Sequence, residues 1–105
     1  MENKIKNIAV LTSGGDSPGM NAAIRAVVRA CAYYNVKCTG IYRGFQGMIE
    51  NDMIEMGPRS VKNIVNRGGT VLKSARSKEF MTTKGRKKAF ENLKENQVDA
   101  LVIIG

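Results

Sequence analysis

Ser13-Gly14-Gly15-Asp16 interrupts an apolar run, Ile8-Ala9-Val10-Leu11, and leads through Ser17-Pro18 into an amphipathic stretch. A strand that ends in glycine and opens into a helix N-terminus makes a place for an anion. Free backbone N–H groups and the positive end of the helix dipole converge there. Adjacent glycines also accept positive φ and let another group approach the backbone with no Cβ in the way. Phosphate is the chemistry such a turn serves, yet neither common fingerprint fits. Met20-Asn21 follow Gly19 where a P-loop has Lys and then Ser or Thr, and the spacing G-G-x-x-x-G is not G-x-G-x-x-G. A purely structural βα turn is the alternative. Further along, Arg25 and Arg29 stand at i and i+4 and share a face turned away from the apolar one. Neighbouring guanidiniums suit phosphate oxygens in two-point contact, and a solvated surface is the alternative reading. The chain has no histidine, so the commonest general base is missing. Any chemistry must use carboxylates, arginine, lysine or backbone groups.

Positioning these residues calls for alternating strands and helices. Ile8 to Leu11 reads as a parallel strand covered on both faces, within a strand near 7–12. Ser17 as N-cap and Pro18 in the first turn start a helix whose Ile24, Val27, Val28 and Cys31 form one apolar stripe. Residues 36–42 read as a second strand that completes a βαβ unit. Arg43-Gly44-Phe45-Gln46-Gly47 reads as a loop at the carboxyl end of that strand, the side on which open α/β sheets bind ligands. From composition alone Phe45 caps the core there. Residues 49–57 suggest a short strand or hairpin, and 58–66 a short helix with Val61, Ile64 and Val65 facing inward. Arg67-Gly68-Gly69-Thr70 is another glycine break. Thr82 caps a helix to about Asn96 with Ala89, Phe90 and Leu93 buried. Its basic first half (Lys84, Arg86, Lys87, Lys88) sits at the wrong end for the macrodipole and reads as a solvated face. Residues 98–104 form a third buried strand. The expected class is α/β, a three-layer sandwich with a mainly parallel sheet.

The bulk numbers agree with one small domain: 105 residues, 43% apolar, with no repeat and no long apolar run. MENKIKN has no apolar leader core, so a cytoplasmic location and no membrane association are expected. Two cysteines and no histidine make neither a disulfide scaffold nor a zinc site, and Cys31 and Cys38 read as buried thiols. The net charge of +8 calls for an anionic partner. The basic residues are scattered and not interleaved with aromatics, which favours phosphorylated small molecules over nucleic acid.

LTSGGDSPGMNAAIRAVVR, then IYRGFQGMI, NRGGTVLKSAR and Glu79-Phe80 follow one another in an order that resembles the bacterial ATP-dependent 6-phosphofructokinases. The resemblance runs to the last residue. It implies that residues 1–105 are the N-terminal part of that enzyme's ATP-binding domain, ending after the third core strand. The implied reaction moves the γ-phosphoryl of ATP to the 1-hydroxyl of fructose 6-phosphate, giving fructose 1,6-bisphosphate and ADP, in a homotetrameric, nucleotide-regulated glycolytic enzyme.

Site residues follow from the same resemblance. It assigns Arg76 to the ATP phosphates and the transferred group, where a fixed guanidinium stabilises charge on the equatorial oxygens without a proton transfer. It places Gly15, Phe45, Ser77 and Arg86 at the nucleotide. Tyrosine is usual at the position of Phe45, and Met81 replaces a residue that is commonly basic. Arg25 and Arg29, with Pro58, Arg59 and Asn63 of the segment PRSVKN, are implied to bind an allosteric nucleotide such as ADP between subunits. Two departures mark this segment. The arginine often found at the position of Pro58 comes one place later, as Arg59. Asn63 replaces an aspartate that could help hold a nucleotide-bound metal. The Gly-Asp-Gly-Ser loop for phosphates and Mg²⁺, and the Thr-Ile-Asp segment with the base, are expected beyond Gly105. No metal ligand is therefore expected in these residues, and the 105-residue chain alone is expected to be inactive. A pyrophosphate-dependent relative is the alternative enzyme, and a non-catalytic nucleotide-binding module the alternative if the gene ends at residue 105.

Overall fold

Val10 faces one side of its strand and its neighbours Ala9 and Leu11 face the other, and all three are fully buried. A strand with apolar residues on both faces needs cover on both. The computed structural model describes residues 4–14, 19–66 and 69–105, and supplies that cover. The elements are β1 (Asn7–Thr12), α1 (Met20–Tyr33), β2 (Lys37–Ile41), α2 (Gly44–Glu50), β3 (Met53–Met56), α3 (Thr83–Glu95) and β4 (Ala100–Ile104). Three 3-10 turns, Pro58–Val61, Ile64–Asn66 and Glu79–Met81, lie between β3 and α3.

The sheet order is β3-β2-β1-β4. β1 runs parallel to β2, with Ala9 opposite Thr39, and parallel to β4, with Ala9 opposite Leu101. The three core strands are thus parallel, as expected. β3 is antiparallel to β2, with Gly40 opposite Ile54, so the sheet is mixed. The reason is the short connection: α2 has two turns and cannot carry the chain back along the sheet, as a parallel neighbour would require.

Two cores result. On one face Ile24, Val28 and Cys31 of α1, with Val61 and Ile64 of the first two 3-10 turns, pack on Val10, Cys38 and Leu72. On the other, Met48 and Ile49 of α2 and Ala89 of α3 pack on Ala9, Leu11 and Ile41. Each fully buried Ile, Leu or Val contributes about 1.5–3 kcal/mol. Buried polar groups are paired across elements. Thr39 Oγ1 donates to Asn7 Oδ1 at 2.9 Å, and Asn7 Nδ2 donates to the Asn96 carbonyl at 3.0 Å. Asp99 receives the backbone N–H groups of Lys6 and Asn7 at 2.8 and 3.0 Å, which ties the start of β4 to β1.

Four expectations change. Arg43 to Gly47 is not a loop: Arg43 (φ 59°) and Gly44 (φ 60°) turn the chain, and α2 starts at Gly44. Packing against the sheet overrides the poor helix propensity of its glycines. Residues 58–66 form 3-10 turns rather than an α-helix. With three residues per turn, Val61 and Ile64 share the inner side, whereas Val65 is 48% exposed. Phe90 is 65% exposed, because Ala89 and Leu93, four apart, already form the side of α3 that meets the core. The outer core strands are also shorter than 36–42 and 98–104. α1 begins at Met20 after Gly19, while Ser17 and Pro18 lie outside the described residues. Thr82 does cap α3, accepting from Gly85 N at 2.9 Å. Lys84, Arg86, Lys87 and Lys88 are exposed, as a solvated face requires.

Both cysteines are buried and free. Burial, reinforced by Cys31 beside it, pushes the Cys38 thiol up to about 12. A group that binds its proton more tightly when folded loses stability as pH rises from its unfolded pKa, about 8.5, through the folded one. Cys38 should therefore stay unmodified by iodoacetamide in the folded protein near pH ~8 and react on unfolding. Mass spectrometry of the alkylated protein reads this directly, and fast native labelling of Cys38 would contradict it.

Candidate functional site

The carboxyl ends of β1 and β2 meet the segment 69–77, and side chains and backbone bind it there. Thr12 Oγ1, at the end of β1, donates to the Lys73 carbonyl at 2.8 Å and lies 3.1 Å from Thr70 Oγ1. Arg43 N donates to the Leu72 carbonyl at 2.9 Å just after β2. Ser74 Oγ donates to the Gly14 carbonyl at 2.6 Å, joining the segment to the glycine turn after β1. Ser13 N donates to the Ile104 carbonyl at 2.8 Å, which brings in the end of β4. Asn21, fully buried in the first turn of α1, adds a further tie: Nδ2 donates to the Ile64 carbonyl and Oδ1 accepts from Val71 N at 2.8 Å. The result is one rim formed by the glycine turn, the start of α2 and the stretch leading to Arg76. It lies where ligands bind in open α/β sheets.

The predicted residues fall on this rim as follows. Arg76 is exposed, two residues beyond Ser74, and its guanidinium takes no partner among the described residues. An uncommitted guanidinium of that kind is available to an anion. Gly15 lies outside the described residues. Phe45 is half-buried and stacks on Phe80, with ring centroids 4.4 Å apart and planes at 22°. It both caps the core, packing against the cluster of Leu11 and Ile41, and shares a flat aromatic pair with the 3-10 turn. Arg86 donates from Nη1 to the carbonyls of Phe80 and Met81 at 3.2 and 3.0 Å, so one of its nitrogens is committed to that turn.

Ser77 is held by a residue that nothing in the sequence singled out. Its Oγ donates to Gln46 Oε1 of α2 at 2.6 Å and accepts from Phe80 N at 3.1 Å. Gln46 Nε2 reaches Glu79 Oε1 at 3.4 Å. The residue next to Arg76 is therefore pinned to α2. Gln46→Ala and Ser77→Ala should each cost about 1 kcal/mol of stability. The double variant should cost less than their sum, because both remove the same bond. Urea unfolding measures this, and strict additivity would show that the bond does not form.

A second group lies on the outer side of α1. Arg25, Arg29, Pro58, Arg59 and Asn63 line one cavity of about 350 Å³, together with Lys62, which sequence reasoning missed. Arg25 is half-buried and Arg29, Arg59 and Lys62 are exposed; none forms an ion pair among the described residues. Asn63 takes a left-handed conformation (φ 63°), which asparagine tolerates well. The sequence brings Arg25 and Arg29 to one helical face, but the turn at Pro58–Val61 delivers the rest. Among the described residues no three His, Cys, Asp or Glu side chains come together as metal ligands. Among them, too, no helix is long and apolar enough to cross a membrane.

Comparison with known proteins agrees with both fold and motif order. The model of the phosphofructokinase family matches residues 7–105. An ATP-dependent 6-phosphofructokinase of Clostridioides difficile is 56% identical over 101 residues, covering 96% of this chain and 32% of the relative. One from Paenibacillus macquariensis is also 56% identical, over 96% of this chain and 31% of its own length. The chain thus spans about a third of the curated relatives it matches. Among solved structures, Pichia pastoris phosphofructokinase in the T-state superposes with a TM-score of 0.90 at 41% identity, over 98% of this chain and 11% of that one. That of Saccharomyces cerevisiae gives 0.90 at 43% identity, over 93% and 13%. With the family model matching nearly the whole length, and the βαβ core superposing on solved members, the chain belongs to the phosphofructokinase family.

Proposed function

We propose that these residues serve as the N-terminal part of the ATP-binding domain of an ATP-dependent 6-phosphofructokinase. The enzyme transfers the γ-phosphoryl of ATP to fructose 6-phosphate, in the cytoplasm and as a homotetramer. The observation that carries this reading is the convergence of the glycine turn, the start of α2 and the Arg76 segment on one rim at the carboxyl ends of parallel strands. Phosphoryl transfer depends on positioning and on charge stabilisation, both of which such a rim can provide. Arg76, unpaired among the described residues and anchored on either side through Ser74 and Ser77, meets the negative charge that gathers on the phosphoryl oxygens. Phe45 offers an aromatic edge to the base. Mg²⁺ would shield the polyphosphate when bound. Among the described residues no ligand set for it comes together, and what they offer the polyphosphate is cationic. The cavity lined by Arg25, Arg29, Pro58, Arg59 and Asn63 is the effector site for a nucleotide such as ADP, at a contact between subunits.

The test is an assay of the full-length protein for fructose 1,6-bisphosphate, with ATP and pyrophosphate offered separately. Product formed with ATP is expected. Product formed only with pyrophosphate would overturn the choice of donor, and none with either would overturn the reaction.

A further inference from the structure

We propose that Gln46 is a positioning residue for the phosphoryl transfer: through the Ser77 hydroxyl it fixes the segment that carries Arg76. The inference rests on the reading of Arg76 as the residue that meets the transferred group. Residues 73–77 belong to no strand or helix, so no regular ladder of backbone hydrogen bonds sets where Arg76 stands. Side chains do so instead. Ser74 Oγ donates to the Gly14 carbonyl on one side, and Ser77 Oγ donates to Gln46 Oε1 on the other, at 2.6 Å each. Only Ala75 and Arg76 lie between these two ties.

Neighbouring groups fix the direction of the second tie. A serine hydroxyl has one proton to give. Phe80 N donates to Ser77 Oγ at 3.1 Å, so the oxygen accepts there and its own proton goes to Gln46. The Glu79 carboxylate can only accept, so it faces the amide nitrogen of Gln46, at 3.4 Å, and leaves Oε1 for Ser77. The Ser77 proton is thus committed within the chain, and any contact of Ser77 with the nucleotide is made without it. Gln46 suits this task because α2 is itself held. Met48 and Ile49 are buried in the core, and Asn92 Nδ2 donates to both of their carbonyls at 2.9 Å. Phe45, next to Gln46, stacks on Phe80, so two adjacent residues of α2 grip the stretch from Ser77 to Phe80. Loss of the Gln46 tie frees one side of the arginine segment, and a misplacement of about 1 Å can cost on the order of 10²-fold in rate.

The experiment is steady-state kinetics of the full-length protein with ATP and fructose 6-phosphate, at a temperature below the onset of unfolding of every variant. Gln46→Ala and Ser77→Ala should each lower kcat about tenfold and change KM for ATP by less than about twofold. The double variant should be no slower than either, because both remove the same bond. The deciding arm is the Arg76→Ala background, in which Gln46→Ala should cause no further loss. A merely structural role would repeat the tenfold loss there, and that result would overturn the proposal. So would a parent-like kcat in Gln46→Ala, or a KM for ATP raised by Ser77→Ala and not by Gln46→Ala. An Arg76→Ala protein as fast as the parent would instead overturn the reading of Arg76 itself, and the proposal with it.

Discussion

Replacing Arg76 with alanine should lower kcat of the full-length enzyme by about 10²–10³-fold, with a smaller effect on ATP binding. The guanidinium is unpaired among the described residues, so its loss breaks no hydrogen bond or ion pair among them. Its segment is nevertheless fixed. Ser74 bonds the Gly14 carbonyl on one side and Ser77 bonds Gln46 on the other, at 2.6 Å each. A charge held in place at low cost in reorganisation acts mainly where new charge develops, which is in the transition state. A loss confined to kcat therefore supports a catalytic arginine. Steady-state kinetics of Arg76→Ala at saturating and limiting ATP measure this. A raised KM with unchanged kcat would reduce Arg76 to a binding residue. Arg76→Lys should recover only part of the rate, because an ammonium lacks the planar fork.

Gly47→Ala should be the most destabilising single methyl in this part of the chain, costing about 3 kcal/mol or more. An added Cβ would collide with the Tyr42 carbonyl group, with both its oxygen and its carbon. The obstacle is backbone, so no rotamer change relieves it. α2 would have to lift from the end of β2, carrying Gln46 with it. The Gly47 carbonyl also accepts from Asp52 N at 2.8 Å, which sets the turn into β3. Gly57→Ala is the control: its Cβ would meet nothing within 4 Å and its φ is −131°, so a change within about 0.5 kcal/mol is expected. Thermal unfolding of both variants decides the matter. Equal melting temperatures would mean that the contact at Tyr42 is not rigid.

The sequence by itself determined the elements whose burial follows a local rule. Ile8 to Leu11 declared a strand buried on both faces, and Ile24, Val27, Val28 and Cys31 declared one helix face; both are where the structure has them. The Thr82 cap was legible because it acts within one turn. Motif order likewise carried the family. The tertiary structure alone decided where local rules compete. Glycines at 44 and 47 look like loop, yet close packing, of Gly44 on Thr12 and of Gly47 on Tyr42, makes them helix. Val65 and Phe90 face out because neighbouring residues had already filled the inner side. Gln46 with Ser77, Asn21 with Val71, and Lys62 with Arg25 meet only after distant segments close on one another. Periodicity records which side of an element is apolar. It does not record which polar atoms will face each other across elements, because that depends on the packing of every segment between them.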